Sequence, residues 1–167
     1  MTMHLVNLFA LAACIAVPQA VGLVSAWATA AGVKTWHAGL RKPSFNPPNS
    51  VFGPVWSALY LLMGISLFLI WRSPAGQERQ DALIAFGIQL ALNFAWSFIF
   101  FRFRQIALAL AEILVLWIAI LGMILLFREV DAVAAYLQIP YLLWVGFATF
   151  LNASIWKLNQ PRWKGAE

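Results

Sequence analysis

Trp56 and Tyr60 stand four residues apart, as do Gln89 and Asn93, with Trp96 three residues further on; Trp144 and Ala148 repeat the spacing, with Leu151 following. Residues three and four apart share one face of an α-helix. Each set is therefore a stripe of flat rings, small side chains and amides. Such stripes can line a pocket or join neighbouring helices, and Asn93 leans toward the pocket because Trp96 accompanies it. Bond-making chemistry has far less to work with. The chain holds two histidines, His4 and His37, and one cysteine, Cys14. No acidic pair, Cys/His cluster or nucleophile beside a base is spaced for catalysis. A protein-held metal ion needs several ligands in fixed geometry, so no metal site and no required cofactor are expected.

Lipid must be the solvent for the elements that carry these stripes. Of 167 residues, 63% are hydrophobic and 10% charged, against about 25% charged in a soluble domain. A bilayer core of ~30 Å takes about 20 apolar residues of helix. Residues 5–33, 43–71, 82–101 and 132–156 carry no charge, and 106–127 only Glu112. The expected fold is an all-α membrane protein, a five-transmembrane-helix bundle forming one domain over 1–167, with helices about 5–31, 51–71, 82–101, 106–127 and 133–156 and one long loop, 32–50. Short connectors make neighbouring helices antiparallel. A cleaved signal peptide is the rival reading of the first span, because "LAAC" at 11–14 resembles a lipoprotein cleavage site. The leader lacks Lys and Arg and the apolar run is too long, so the span is expected to stay. Cys14 then reads as a small packing residue.

Charge orients the bundle. Lys34, Arg41, Lys42, Arg102, Arg104, Lys157, Arg162 and Lys164 fall on one side of a five-span chain; Arg72, Arg79 and Arg128 fall on the other, mixed with Glu78, Asp81, Glu129 and Asp131. The positive-inside rule puts loop 32–50 and the C-terminus in the cytoplasm, without saying which membrane is crossed. No polar basic domain exists to bind nucleic acid.

Depth sorts the nine tryptophans. Trp36, Trp71, Trp156 and Trp163 sit at or beyond span ends, where Trp anchors at headgroups, and Trp27 could do the same. Trp56, Trp96, Trp117 and Trp144 lie inside spans. At 1.5 Å rise per residue, Trp56, Tyr60, Asn93, Trp96, Trp144, Ala148 and Asn152 all fall within about 18 Å of the cytoplasmic ends. This predicts a pocket in that half, opening toward loop 32–50. Gln89 could be interhelical glue or part of the pocket. Glu112 is an intramembrane acid, hence a functional candidate, although it lies close enough to the interface to snorkel or to pair with Arg102 or Arg104. His37 could touch a ligand or bind a haem iron axially, but a solvated loop side chain is the plainer reading. Two ridges of small residues, Gly87–Ala91–Ala95 and Ala12–Ala16–Ala20, suit close helix contacts, one of them between protomers. Pro18 and Pro140 are expected to kink helices 1 and 5. Pro43, Pro47 and Pro48 stiffen the loop, with Asn49 or Ser50 capping helix 2 and Pro54 in its first turn.

Three long motifs in order, "WHAGLRKPSFNPPNSVFGPVWSALYLLMG" from Trp36, "QLALNFAWSFIFF" from Gln89 and "PYLLWVGFATFLN" from Pro140, resemble those of the translocator protein or tryptophan-rich sensory protein family (TspO/MBR, peripheral benzodiazepine receptor). The resemblance covers nearly the whole chain. It implies a homodimeric bundle in membrane lipid that binds tetrapyrroles (protoporphyrin IX, haem) and benzodiazepine-site ligands. The family's pocket positions correspond to Trp56, Asn93, Trp96, Trp144, Ala148 and Leu151, with Trp36 in the covering loop, Tyr60 at a helix-2 aromatic position and Leu108 where some members have a pocket Trp. The expected pocket thus lies between helices 1, 2, 3 and 5, with helix 4 contributing around Leu108. The resemblance also leaves open an enzyme-like, light- and oxygen-dependent porphyrin breakdown involving Trp56 and Trp144, and, more weakly, sterol binding or a scaffold role. His37 replaces the usual Tyr after the loop Trp. The weak cholesterol pattern wants a central Tyr followed by a cation; after Leu151 the chain has only Trp156–Lys157, which argues against cholesterol binding.

Overall fold

A computed structural model describes residues 2–160, with side chains described from residue 5. Arg162, Trp163 and Lys164, part of the predicted cytoplasmic charge and anchor set, lie outside the described residues. The elements are α1 (Thr2–Lys34), a 3₁₀ turn (His37–Gly39), α2 (Asn49–Arg72), α3 (Gln77–Ser97) ending in a π turn (Phe98–Arg102), α4 (Ile106–Val130), α5 (Ala132–Tyr136) and α6 (Ile139–Leu158). Five segments are long and apolar enough to cross a membrane: Leu5–Lys34, Asn49–Arg72, Gln77–Arg102, Ile106–Val130 and Ala132–Leu158. They match the five charge-poor runs. The third starts earlier than expected, because Glu78, Arg79 and Asp81 form its first turns, where an acid at the N-terminus is favoured by the helix dipole.

Local chemistry departs from expectation at three prolines. The fifth span is broken rather than kinked. Asp131 caps α5 by accepting from Ala134 N at 2.9 Å, the helix ends by Leu137, and Pro140 stands in the first turn of a new helix, where its missing N–H costs nothing. The break is tied to α2 by Ser66 Oγ, which donates to Ala134 O at 2.7 Å. Pro48, not Asn49 or Ser50, precedes α2, and no side chain caps that helix. Pro54 is the sixth helical residue; it leaves the carbonyl of exposed Ser50 without its helical donor. Between α3 and α4, the π turn hands over to Arg104 in the left-handed region, φ 59°, a conformation that terminates helices.

The half of the bundle away from loop 32–50 is closed. Met63, Ile70, Met123 and Phe127 are fully buried there, and Phe86 stacks on Phe127 at 6.4 Å. Two glycines set the distance of α1 from α2. A Cβ at Gly64 would overlap the backbone of Ile15, and one at Gly22 would overlap the Tyr60 ring. Gly64→Ala is expected to lower stability by about 1–3 kcal/mol, the cost of overpacking, read as an earlier thermal transition in detergent. Gly122→Ala, whose Cβ meets nothing within 4 Å, should leave the transition in place.

Candidate functional site

The open half holds a cavity of about 400 Å³, within the range of small-molecule sites. α2 supplies Trp56 and Tyr60, α3 supplies Asn93 and Trp96, and α6 supplies Trp144, Ala148 and Leu151. Seven of the nine nominated ligand residues therefore line one space. Trp36 and Leu108 do not. Trp36 packs edge-on against Phe100 at 5.6 Å, behind the wall. Leu108 is 55% exposed, on the outward face of α4, and no α4 residue lines the cavity. The expectation that helix 4 contributes around Leu108 is corrected accordingly: that helix packs behind α3 and α6, and Asn152 of α6 binds its first carbonyl, Ile106 O, at 3.0 Å.

The floor is a buried polar chain. Tyr60 OH donates to Asn93 Oδ1 at 2.8 Å, and Asn93 Nδ2 donates to Tyr141 OH at 3.1 Å. Asn93 retains one N–H and one lone pair, since a carboxamide offers two donors and two acceptor sites. Above the floor, Trp56 stacks on Tyr60 at 5.4 Å. Phe52 meets Trp144 edge-on at 5.9 Å, and Trp96 stacks on Phe100 at 5.2 Å. The Trp96 indole reaches Asn152 Oδ1 at 3.4 Å.

α1 was the least legible wall. Gly22, Ser25, Ala26 and Thr29 line the cavity, with Thr29 Oγ1 donating to Ser25 O at 2.7 Å. The available signal was spacing, since Gly22, Ser25 and Thr29 fall on one helical face. Leu23 and Ala26 of α1 and Gly53 and Ser57 of α2 both line the cavity and face outward, so the space reaches the flank between these helices. There Gln19 Nε2 donates to Ser57 O at 3.0 Å.

Loop 32–50 crosses the end of the bundle. Its first residues continue α1 to Lys34. Arg41 then pairs through its backbone with the Asn159 side chain, N to Oδ1 at 3.0 Å and O from Nδ2 at 2.9 Å, and Phe45 packs on Phe147 at 6.4 Å. His37 is not the solvated side chain that its loop position suggested. It is 8% exposed, lines the cavity, and lies edge-on to Phe100 at 5.9 Å and Phe101 at 5.4 Å.

Two intramembrane polar residues take neither expected role. Gln89 is fully buried, does not line the cavity, and neither amide atom has a hydrogen-bond partner among the described residues. Both Glu112 oxygens are likewise enclosed without a partner, so no pairing with Arg102 or Arg104 is formed there. The small-residue ridges both look outward: Gly87 and Ala91 are exposed and Ala95 half-buried, and Ala12, Ala16 and Ala20 are exposed.

Among known sequences, residues 14–157 match the TspO/MBR family model. The chain is similar to a tryptophan-rich protein TspO of Archaeoglobus fulgidus, 39% identical over 92% of this chain and 99% of that one. It is also similar to the human translocator protein, 41% identical over 78% of each chain, and to a tryptophan-rich sensory protein of Cereibacter sphaeroides, 35% identical over 76% of this chain and 78% of the relative.

Burial, and then the nearby positive charge of Lys42, lower the His37 pKa from 6.5 to about 4. The unfolded chain therefore binds a proton between pH 6.5 and 4 that the folded chain refuses, and folded stability falls as pH drops through that window. The thermal transition of the parent should fall more steeply from pH 7 to pH 4 than that of His37→Phe.

Proposed function

The chain is an integral multi-pass membrane protein of the TspO/MBR family, and we propose that its cavity binds tetrapyrroles, protoporphyrin IX and haem, and the flat synthetic ligands of the benzodiazepine site. One observation carries this reading: tryptophans from α2, α3 and α6 line a single cavity with one buried carboxamide in its floor. A planar macrocycle gains from stacking on Trp56 and Trp144, and the free donor and acceptor sites of Asn93 orient its edge. Exposed Lys34 and Arg41 supply positive charge for propionates at the loop end. The outward-facing lining between α1 and α2 suits an apolar ligand arriving from the bilayer.

In the same reading the loop end and the C-terminus face the cytoplasm, and two copies associate in the membrane through Gly87, Ala91 and Ala95 on α3, where small side chains let backbones approach. Ser44→Cys, introduced with Cys14→Ala, should resist an impermeant thiol reagent in intact cells and react after permeabilisation. Ready labelling from outside would reverse the orientation.

Trp144→Phe keeps a ring but loses area and the indole N–H. Its affinity for protoporphyrin IX should weaken about tenfold, or 1.4 kcal/mol. Trp71→Phe, at the opposite interface, should bind like the parent. Fluorescence-quench titrations in detergent compare the two. Unchanged affinity in folded Trp144→Phe, Trp56→Phe and Asn93→Ala alike would mean that these side chains pack helices and bind nothing.

A further inference from the structure

The imidazole of His37 has a place on the cavity wall that stacking does not explain. Its Nδ1 is enclosed and has no hydrogen-bond partner among the described residues, and an unpaired buried polar atom is costly. The ring is nonetheless held firmly. The 3₁₀ turn closes behind it, with Gly39 N donating to Trp36 O at 3.1 Å and Leu40 N to His37 O at 3.3 Å. Phe100 and Phe101 present their rings to it, and α1 lies so close to this corner that a Cβ at Gly32 would overlap the Phe101 carbonyl.

Other enclosed, partnerless groups on the cavity wall are the Ser25 hydroxyl and the Trp144 indole N–H. Neither is a useful metal ligand, because an indole N–H only donates hydrogen bonds and a hydroxyl ligates weakly. Neutral imidazole is a strong one. A bare metal ion would need several protein ligands, and no group of three or more His, Cys, Asp or Glu side chains exists among the described residues. A metal already held by four nitrogens of a flat macrocycle needs one axial ligand. The lining of this cavity offers one imidazole beside an aromatic enclosure.

We propose that His37 ligates the metal of a metallated planar tetrapyrrole bound in this cavity, so that the protein prefers iron porphyrin to the metal-free ring. The inference rests on the tetrapyrrole reading above and adds a ligand preference to it. With Nδ1 walled in, Nε2 is the ligating atom. Its lone pair forms a dative bond to the metal and displaces one axial water. No electron is transferred and no proton is released, since the ring is already neutral.

The test uses full-length protein purified in detergent without a polyhistidine tag. Parent, His37→Phe, His37→Ala and His4→Ala are titrated with metal-free protoporphyrin IX and with its iron(III) and zinc forms. The parent and His4→Ala should bind the metallated forms about tenfold tighter than the metal-free ring. His37→Phe should bind all three alike, with the metal-free affinity of the parent. The Soret band and electron paramagnetic resonance of the iron complex should report a nitrogenous axial ligand in the parent. That signature should vanish in His37→Ala and return when free imidazole is added.

A parent that binds iron and metal-free porphyrin equally, with an iron spectrum that lacks the nitrogenous ligand, overturns the ligation and leaves the stacking site standing. A parent that binds neither overturns the tetrapyrrole reading and this inference with it. Should the His37 variants fail to fold, the spectrum of the parent iron complex decides alone.

Discussion

One carboxamide joins the helices that enclose the cavity. Asn93 of α3 accepts from Tyr60 of α2 and donates to Tyr141 of α6. In water such bonds compete with solvent; in a bilayer core the alternative partners are few, and each interhelical bond contributes about 0.6–2 kcal/mol. The fourth wall depends on it too. Gly22 of α1 lies directly against the Tyr60 ring, so the ring position that makes the hydrogen bond also sets how close α1 comes. Move Asn93, and the registers of α2, α6 and α1 lose their common reference.

The same ring divides the bundle. On one side, Gly64 lets α1 touch α2 backbone to backbone, and the space fills with Met63, Ile70, Met123 and Phe127. On the other side, Trp56 continues the Tyr60 stack, and bulky rings hold the helices apart. The cavity lies where aromatic Trp56 and Tyr60 of α2 face small Gly22, Ser25 and Thr29 of α1.

Much of this was legible because lipid simplifies the code. Charge gaps mark spans, and within a span a residue such as Asn93 has few reasons to be present. The stripes Trp56–Tyr60, Asn93–Trp96 and Trp144–Ala148–Leu151 converge as their spacing implied. What escaped was decided by contacts between segments. The α1 wall is made of Gly22, Ser25 and Thr29, residues too small to announce a face by hydropathy. Leu108 is one apolar residue among many on α4, and only packing shows that it looks outward. Pro140 begins a helix instead of bending one, because the short helix that Asp131 starts has already ended at Tyr136. Nothing among the described residues accounts for the partnerless amides of Gln89 and Gln138.

His37 escaped for the clearest reason. A histidine beside Trp36 in a loop of prolines and cations carries no local signal of burial. Its burial comes from distant elements: Phe100 and Phe101 face the ring, and Asn159, at the end of α6, holds the backbone of Arg41 in both directions and also donates to Ile155 O at 2.7 Å. The clasp uses the main chain of Arg41, and its exposed side chain takes no part in it. Three prolines lower the entropy lost in holding the rest of the loop extended, and Phe45 rests on Phe147. The loop is therefore fixed at the α6 end as well as by its continuation from α1. The short 3₁₀ turn between these fixed points has little freedom, and it presents the imidazole to the cavity.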